Sequence, residues 1–287
     1  GLYFCPTQVT VCASGCDQTT IGAGVAALPT TLTQHSCVVI RDGATYGEQV
    51  TVQGFTNAGS SITIMNDEIL ELRPIVAPPA SSTAAFRIVN SSVNISGISV
   101  IASANVPYGI LASSSYVSLS SVSVSTSGGA GIYIAGVRIS SWGTIDASTV
   151  NVWNAHGIWL DGSTMTVVTN STSATKHPGY YALYLSTADS NFVTGSYLQN
   201  AAGSGIRLHS GSDYNTISMS TMVSAAVGHA ALYLSGSSSN TIVDSYILGS
   251  TAVYISGSTG TVIGGSVLVA TNTIGSALAL GGGSVNL

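Results

Sequence analysis

Along this 287-residue chain the apolar residues come in short runs that alternate with polar ones at period 2, broken by Gly, Ser, Thr and Asn. That period predicts strands and not helices. The runs also resemble one another: "GIYIAG" at 131, "GIWLDG" at 157, "ALYLSTADSNFV" at 182, "GIRLHSGSDYNTI" at 205 and "ALYLSGSSSNTIVDSYI" at 231. Taking the first apolar residue of each triplet as an anchor gives Phe86, Ile110, Ile132, Ile158, Leu183, Ile206, Leu232, Val253 and Leu278, with a mean gap of 24 residues. A Gly/Ser-rich repeat of that length is too short for a pair of helices.

A second marker runs in step with the first. Apolar pairs five apart recur as Val93/Ile98, Val117/Val122, Ile145/Val150, Val193/Leu198, Ile217/Met222, Ile242/Ile247 and Val262/Val267. In "VSLSSVSV" the alternation skips from Leu119 to Val122, which would reverse the facing of the second run unless the chain turns a corner between them. Strand, turn, strand, corner, strand in about 24 residues is the coil of a parallel β-solenoid. The predicted fold is a single all-β right-handed parallel β-helix over 38–287, with a Cys-rich segment and short cap over 1–37. Asn191, Asn215 and Asn240 each precede the second strand by the same step, which predicts an amide ladder through one turn of the stack.

These repeats resemble the right-handed parallel β-helix of the pectate-lyase-like superfamily and its carbohydrate-binding and sugar-hydrolase repeats. The stretch "TTIGAGVAALPTTL…CVVIRDGATYGEQVTV" (19–52) is similar to the opening of pectin methylesterases, where a capping helix precedes the first strand. The resemblance implies the fold over nearly the whole chain and leaves activity open.

Composition narrows the function classes. Only 6% of residues are charged and the net charge is −5, so no basic face exists for nucleic acid. No apolar run is long enough to span a membrane, so membrane insertion is not expected. The four cysteines, Cys5, Cys12, Cys16 and Cys37, all lie early in a loop-rich segment. Two disulfides suit them better than zinc, with three connectivities open, and place the protein outside the cell or at its surface.

Catalytic chemistry finds little support. The methylesterase strand motif G-x-x-D-F-I-F-G is absent. Of the Asp-Asp and His-Gly signatures of inverting hydrolases with this fold, "HG" occurs once, at His156–Gly157, and no Asp-Asp pair exists; Asp161 stands alone at a strand end. The best carboxylate pair is Asp189 with Asp213, stacked in adjacent coils; turn hydrogen bonds explain it more simply. His209 and His229 read as turn residues, and Glu48, Glu68 and Glu71 as surface or cap groups. No catalytic residue, metal site or cofactor is expected.

The middle residue of each triplet must face outward if its neighbours face the core. Along the coils these are Arg87, Leu111, Tyr133, Trp159, Tyr184, Arg207, Tyr233, Tyr254 and Ala279. A stripe of aromatics with Arg207 within it, Tyr133 to Tyr254, has three readings: a self-stabilising ladder with cation–π contacts, an interface, or a platform for sugar rings. The last coil, from Leu278, carries no blunting cap of its own, which fits either a piece cut from a longer solenoid or a coil covered by the next subunit. Copies of the chain stacking open coil on N-terminal cap would form a filament. The expected function is therefore a non-catalytic structural or adhesive β-solenoid that assembles with itself, with polysaccharide binding or cleavage on the aromatic face as the alternative.

Overall fold

The computed structural model describes residues 5–103, 105–126 and 134–287. Three parallel sheets run its length, one of 12 strands and two of 10. Each complete coil contributes one strand to each sheet. In one middle coil Leu183–Ser186 lies in the sheet that carries the stripe, Phe192–Thr194 in the long sheet and Tyr197–Asn200 in the third sheet. The chain then crosses a longer loop to Ile206–His209, directly above Leu183–Ser186 in the stripe sheet.

The inward residues of all three sheets merge into one core of Val, Ile, Leu and Ala, in which Phe86 is the largest fully buried side chain. Each fully buried branched aliphatic contributes about 1.5–3 kcal/mol. From Gly97 to Gly265 the corner between the long and third sheets is made by one residue per coil in the left-handed region. These include Ser121, Ala147, Asn170, Gly195, Met219 and Asp244, with φ between 45° and 58°. Only that backbone turns the chain sharply enough to keep both flanking runs pointing inward, so most coils accept the cost, about 1–2 kcal/mol, of a side chain there.

The N-terminal cap is part of the same stack. Thr7–Val11 pairs in parallel with Ser36–Ile40, so the long sheet begins inside the Cys-rich segment. The helix Ile21–Ala26 closes the end of the core with Ile21 and Val25 buried. Thr20 caps it through Ala23 N at 3.1 Å, and the Glu48 carboxylate accepts from Ile21 N and Gly22 N at 2.7 and 2.9 Å. Disulfides join Cys5 to Cys37 and Cys12 to Cys16. The first lies over Val39 and Met65 on the outer side of the long sheet.

Two sequence assignments are corrected by strand register. Val137, not Ile132, lies between Ile110 and Ile158. The segment "GIYIAGVRI" holds two Gly-apolar-x-apolar triplets, and the second lies closer to Trp142–Asp146, which keeps the intervening turn short. In the last complete coil Ile263 and Leu268 occupy the places given to Val262 and Val267. Val262 and Val267 are 38% and 55% exposed.

Candidate functional site

The outward residues of the stripe sheet form one column. Arg87, Leu111, Arg138, Trp159, Tyr184, Arg207, Tyr233, Tyr254 and Ala279 are successive ladder partners. Arg138 therefore takes the place assigned from sequence to Tyr133, which lies outside the described residues. Trp159, Tyr184, Arg207, Tyr233 and Tyr254 are all half-buried on this one face.

Two cationic clusters share the column. In the first, Arg138 pairs with Asp161 and donates from Nη1 to the Tyr108 hydroxyl at 3.1 Å. Its guanidinium lies 4.5 Å from the centre of the Trp159 ring. Trp159 Nε1 donates to Ser186 Oγ at 3.2 Å, and that hydroxyl donates to Asp161 at 2.8 Å. Asp161, solitary in the sequence, is thus fastened to both neighbouring coils. In the second cluster Arg207 donates to the Tyr181 hydroxyl at 2.9 Å and stands over the Tyr233 ring at 5.0 Å. Its Nη2 lies 3.3 Å from His209 Nδ1. His209 is accordingly a strand residue on the outer face and not a turn residue.

His156 sits between the clusters, buried, with its ring stacked 4.6 Å from Tyr184 and 5.5 Å from Tyr181. Its Nδ1 accepts from Tyr181 N at 3.1 Å, which leaves the ring proton on Nε2. Burial, and then the Arg207 charge, push its pKa down to about 3. Burial and Arg207 push His209 down as well. Beyond Arg207, Tyr233 and Tyr254 pack 5.1 Å apart and line a cavity of about 430 Å³ with Ser204, His229 and Thr251.

Tyr181 and Tyr108 were not singled out in the sequence, and His156 only as part of an isolated "HG" pair. Tyr108 and His156 open their strands two residues before the triplet anchor, and Tyr181 lies in the loop leading to Leu183–Ser186, so none falls on the positions the repeat marks. Arg138 was missed through the displaced anchor.

The other candidates are structural. Asn191 Nδ2 donates to Asn215 Oδ1 at 3.0 Å and Asn215 Nδ2 to Asn240 Oδ1 at 3.1 Å, all three residues being buried. Asp189 Oδ1 accepts from Asp213 N at 2.8 Å, and Asp213 Oδ1 from Ser238 N at 2.6 Å, so both carboxylates hold turns together. Among the described residues no group of three or more His, Cys, Asp or Glu is placed to hold a metal ion. No helix among them is long and apolar enough to cross a membrane.

Comparison with known proteins agrees with this architecture. No curated protein sequence matches the chain. Among solved structures, an alginate lyase from Paenibacillus sp. str. FPU-7 is similar at 13% identity, covering 98% of this chain and 99% of its own, with a TM-score of 0.54. The ORF18 protein of Geobacillus virus E2 is 10% identical over 93% of this chain, with a TM-score of 0.53; the match spans 55% of the viral chain. Pectate lyase Pel9A is 13% identical over 92% of this chain and 71% of its own, with a TM-score of 0.49. At these identities the likeness is one of fold. The family described as the right-handed beta helix region matches residues 131–286, and the chain belongs to that family.

Proposed function

We propose that the protein is an extracellular, non-catalytic glycan-binding β-solenoid that holds a saccharide chain along its aromatic face. The observation that carries this reading is the unbroken register of Trp159, Tyr184, Arg207, Tyr233 and Tyr254 on one half-exposed sheet. A sugar ring has an apolar C–H face and a rim of hydroxyls. Rigid aromatic faces flanked by the hydrogen-bonding groups of Arg138, Asp161, Arg207 and His209 match both parts. Rungs about 4.8 Å apart let successive rings meet successive units of an extended polymer. The disulfide-linked cap and the scarcity of charge suit a location outside the cell.

Affinity electrophoresis in gels containing neutral and acidic polysaccharides tests the reading. Retardation by at least one polymer is expected. It should be lost in Tyr184→Ala/Tyr233→Ala and kept in Trp142→Ala, which alters the exposed face of the long sheet. Free migration in every gel, or equal retardation of the double variant, overturns it.

Self-assembly is a second reading, favoured by a different observation. Among the described residues the last strands, Leu278–Leu280 and Gly283–Asn286, have partners on one side only, and such an edge accepts further strands, from another copy or from the same polypeptide. Stacking of this edge on the cap of the next copy would give a filament. Electron micrographs of concentrated protein should then show rods of many molecular lengths, and single short particles at all concentrations would refute it.

A further inference from the structure

Of the three arginines in the column, Arg87 stands beyond Leu111, away from the aromatic rungs, and donates to Gln53 Oε1 at 3.0 Å; the two guanidinium groups beside aromatic rings differ in one respect. Arg138 is neutralised by Asp161, the one carboxylate that the described stripe-sheet strands present outward. Arg207 makes no ion pair among the described residues and has Tyr181, Tyr233 and His209 around it; its Nε, like that of Arg138, is buried without a hydrogen-bond partner, so the missing carboxylate is the difference. We propose that Arg207, with His209 beside it, anchors an anionic substituent of the glycan, a carboxylate or a sulfate ester, so that the face selects acidic over neutral chains. This rests on the glycan reading above and adds to it the charge class of the ligand.

A half-buried cation has lost part of its hydration and gains little from a neutral hydroxyl, so an arriving oxyanion recovers more there than it would at an exposed arginine. The planar fork offers paired N–H donors that match a carboxylate or sulfate. The attraction is local, because the chain as a whole carries a net charge of −5 and would repel an acidic polymer elsewhere.

His209 gives the proposal a pH signature. Facing it are Arg207 on its own strand and the Tyr184 ring, stacked at 6.5 Å, on the preceding one. Its ladder partner in the preceding coil is Ser186, whose hydroxyl binds Asp161 two coils away; on the following strand it faces Ser235 and the column residue Tyr233. Burial and Arg207 hold it neutral at pH 7. An anion bound against the pair favours the imidazolium, so binding takes up a proton and strengthens as pH falls below neutral. Uronate carboxylates and sulfate esters stay ionised over that range.

Gel retardation of the full chain by alginate, polygalacturonate and chondroitin sulfate, against laminarin and xylan, tests this. Acidic polymers should bind at least about tenfold more tightly than neutral ones, and Arg207→Gln should remove that margin. Arg207→Lys, which keeps the charge, should restore part of it and serves also if the glutamine variant folds poorly. Affinity for the acidic polymers should rise between pH 8 and pH 5.5, and His209→Gln should flatten the rise. Alginate and polygalacturonate without chondroitin sulfate would assign a carboxylate, and the reverse a sulfate. Equal binding of neutral polymers, or a preference that survives Arg207→Gln, refutes the anionic anchor and leaves the glycan reading standing. Retention by no polymer refutes both.

Discussion

His156 shows how much one side chain's environment can decide. Its imidazole lies against two tyrosine rings and accepts a backbone hydrogen bond at Nδ1, so a second ring proton would meet the Tyr181 N–H head on. With a folded pKa of about 3 and an unfolded value near 6.5, the unfolded chain alone takes up this proton as pH falls. The stability is fully present above pH 6.5 and is lost on acidification by about 1.4 kcal/mol per pH unit down to about pH 3. Urea midpoints measured from pH 7 to pH 4.5 should fall accordingly, and His156→Gln should remove most of that slope, His209 supplying the remainder. None of this was legible in the sequence, where "HG" at 156–157 reads only as a possible hydrolase signature. The Asn ladder was legible, because a fixed step before the second strand becomes a vertical neighbour once coils stack. The chemical neighbours of Asp161 were not, since Arg138 and Ser186 meet it only across coils.

Each coil depends on its corners, and these are held by a ladder that the repeat pattern did not announce. After the left-handed corner residue a buried serine follows: Ser148, Ser171, Ser196, Ser220 and Ser245. Each hydroxyl from Ser171 onward accepts the backbone N–H of the serine one coil earlier, at 3.1–3.3 Å. Serine is so abundant in this chain that its recurrence at one place carries little signal. The displaced anchor at Ile132 has a similar origin, because two equivalent triplets stand in one segment and only turn length chooses between them. The return from the third sheet is equally constrained at Gly205, where a Cβ would lie 2.7 Å from both the Ala231 and Val223 carbonyl oxygens. Backbone on two sides cannot yield cheaply. Gly205→Ala should lower stability by about 1–3 kcal/mol in denaturant titrations, although alanine has the better intrinsic propensity.

For the whole molecule, stability is a sum over neighbouring coils, so the two ends limit it. The N-terminal end is closed by the helix Ile21–Ala26, by Thr7–Val11 and by two disulfides of sequence separation 32 and 4. Chain-entropy arguments assign about 3–4 kcal/mol to the longer loop and about 2 kcal/mol to the shorter. Cys5→Ala/Cys37→Ala should therefore lower the melting temperature more than Cys12→Ala/Cys16→Ala does. Amide exchange should accelerate first in Thr7–Val11 in the former variant, while the middle coils stay protected. Unchanged exchange in that strand would show that pairing with Ser36–Ile40 holds it without the cross-link. Early clustering of the cysteines made a linked cap legible; which sulfurs join depended on how Thr7–Val11 enters the sheet.

The amino-acid sequence by itself determined the all-β class, the repeat of about 24 residues, the inward and outward alternation, the Asn ladder and the outward place of Trp159, Tyr184, Arg207, Tyr233 and Tyr254. These follow from period 2 and from a recurring step, which are properties of neighbouring letters. Tertiary structure decided that Arg138 completes the column, that Asp161 neutralises Arg138 and leaves Arg207 without an ion pair among the described residues, and that His156 from the start of its strand and Tyr181 from a loop enter the cluster. Ion pairing and desolvation act over a few ångströms between coils more than 20 residues apart in sequence, and only the stacked register brings such groups together.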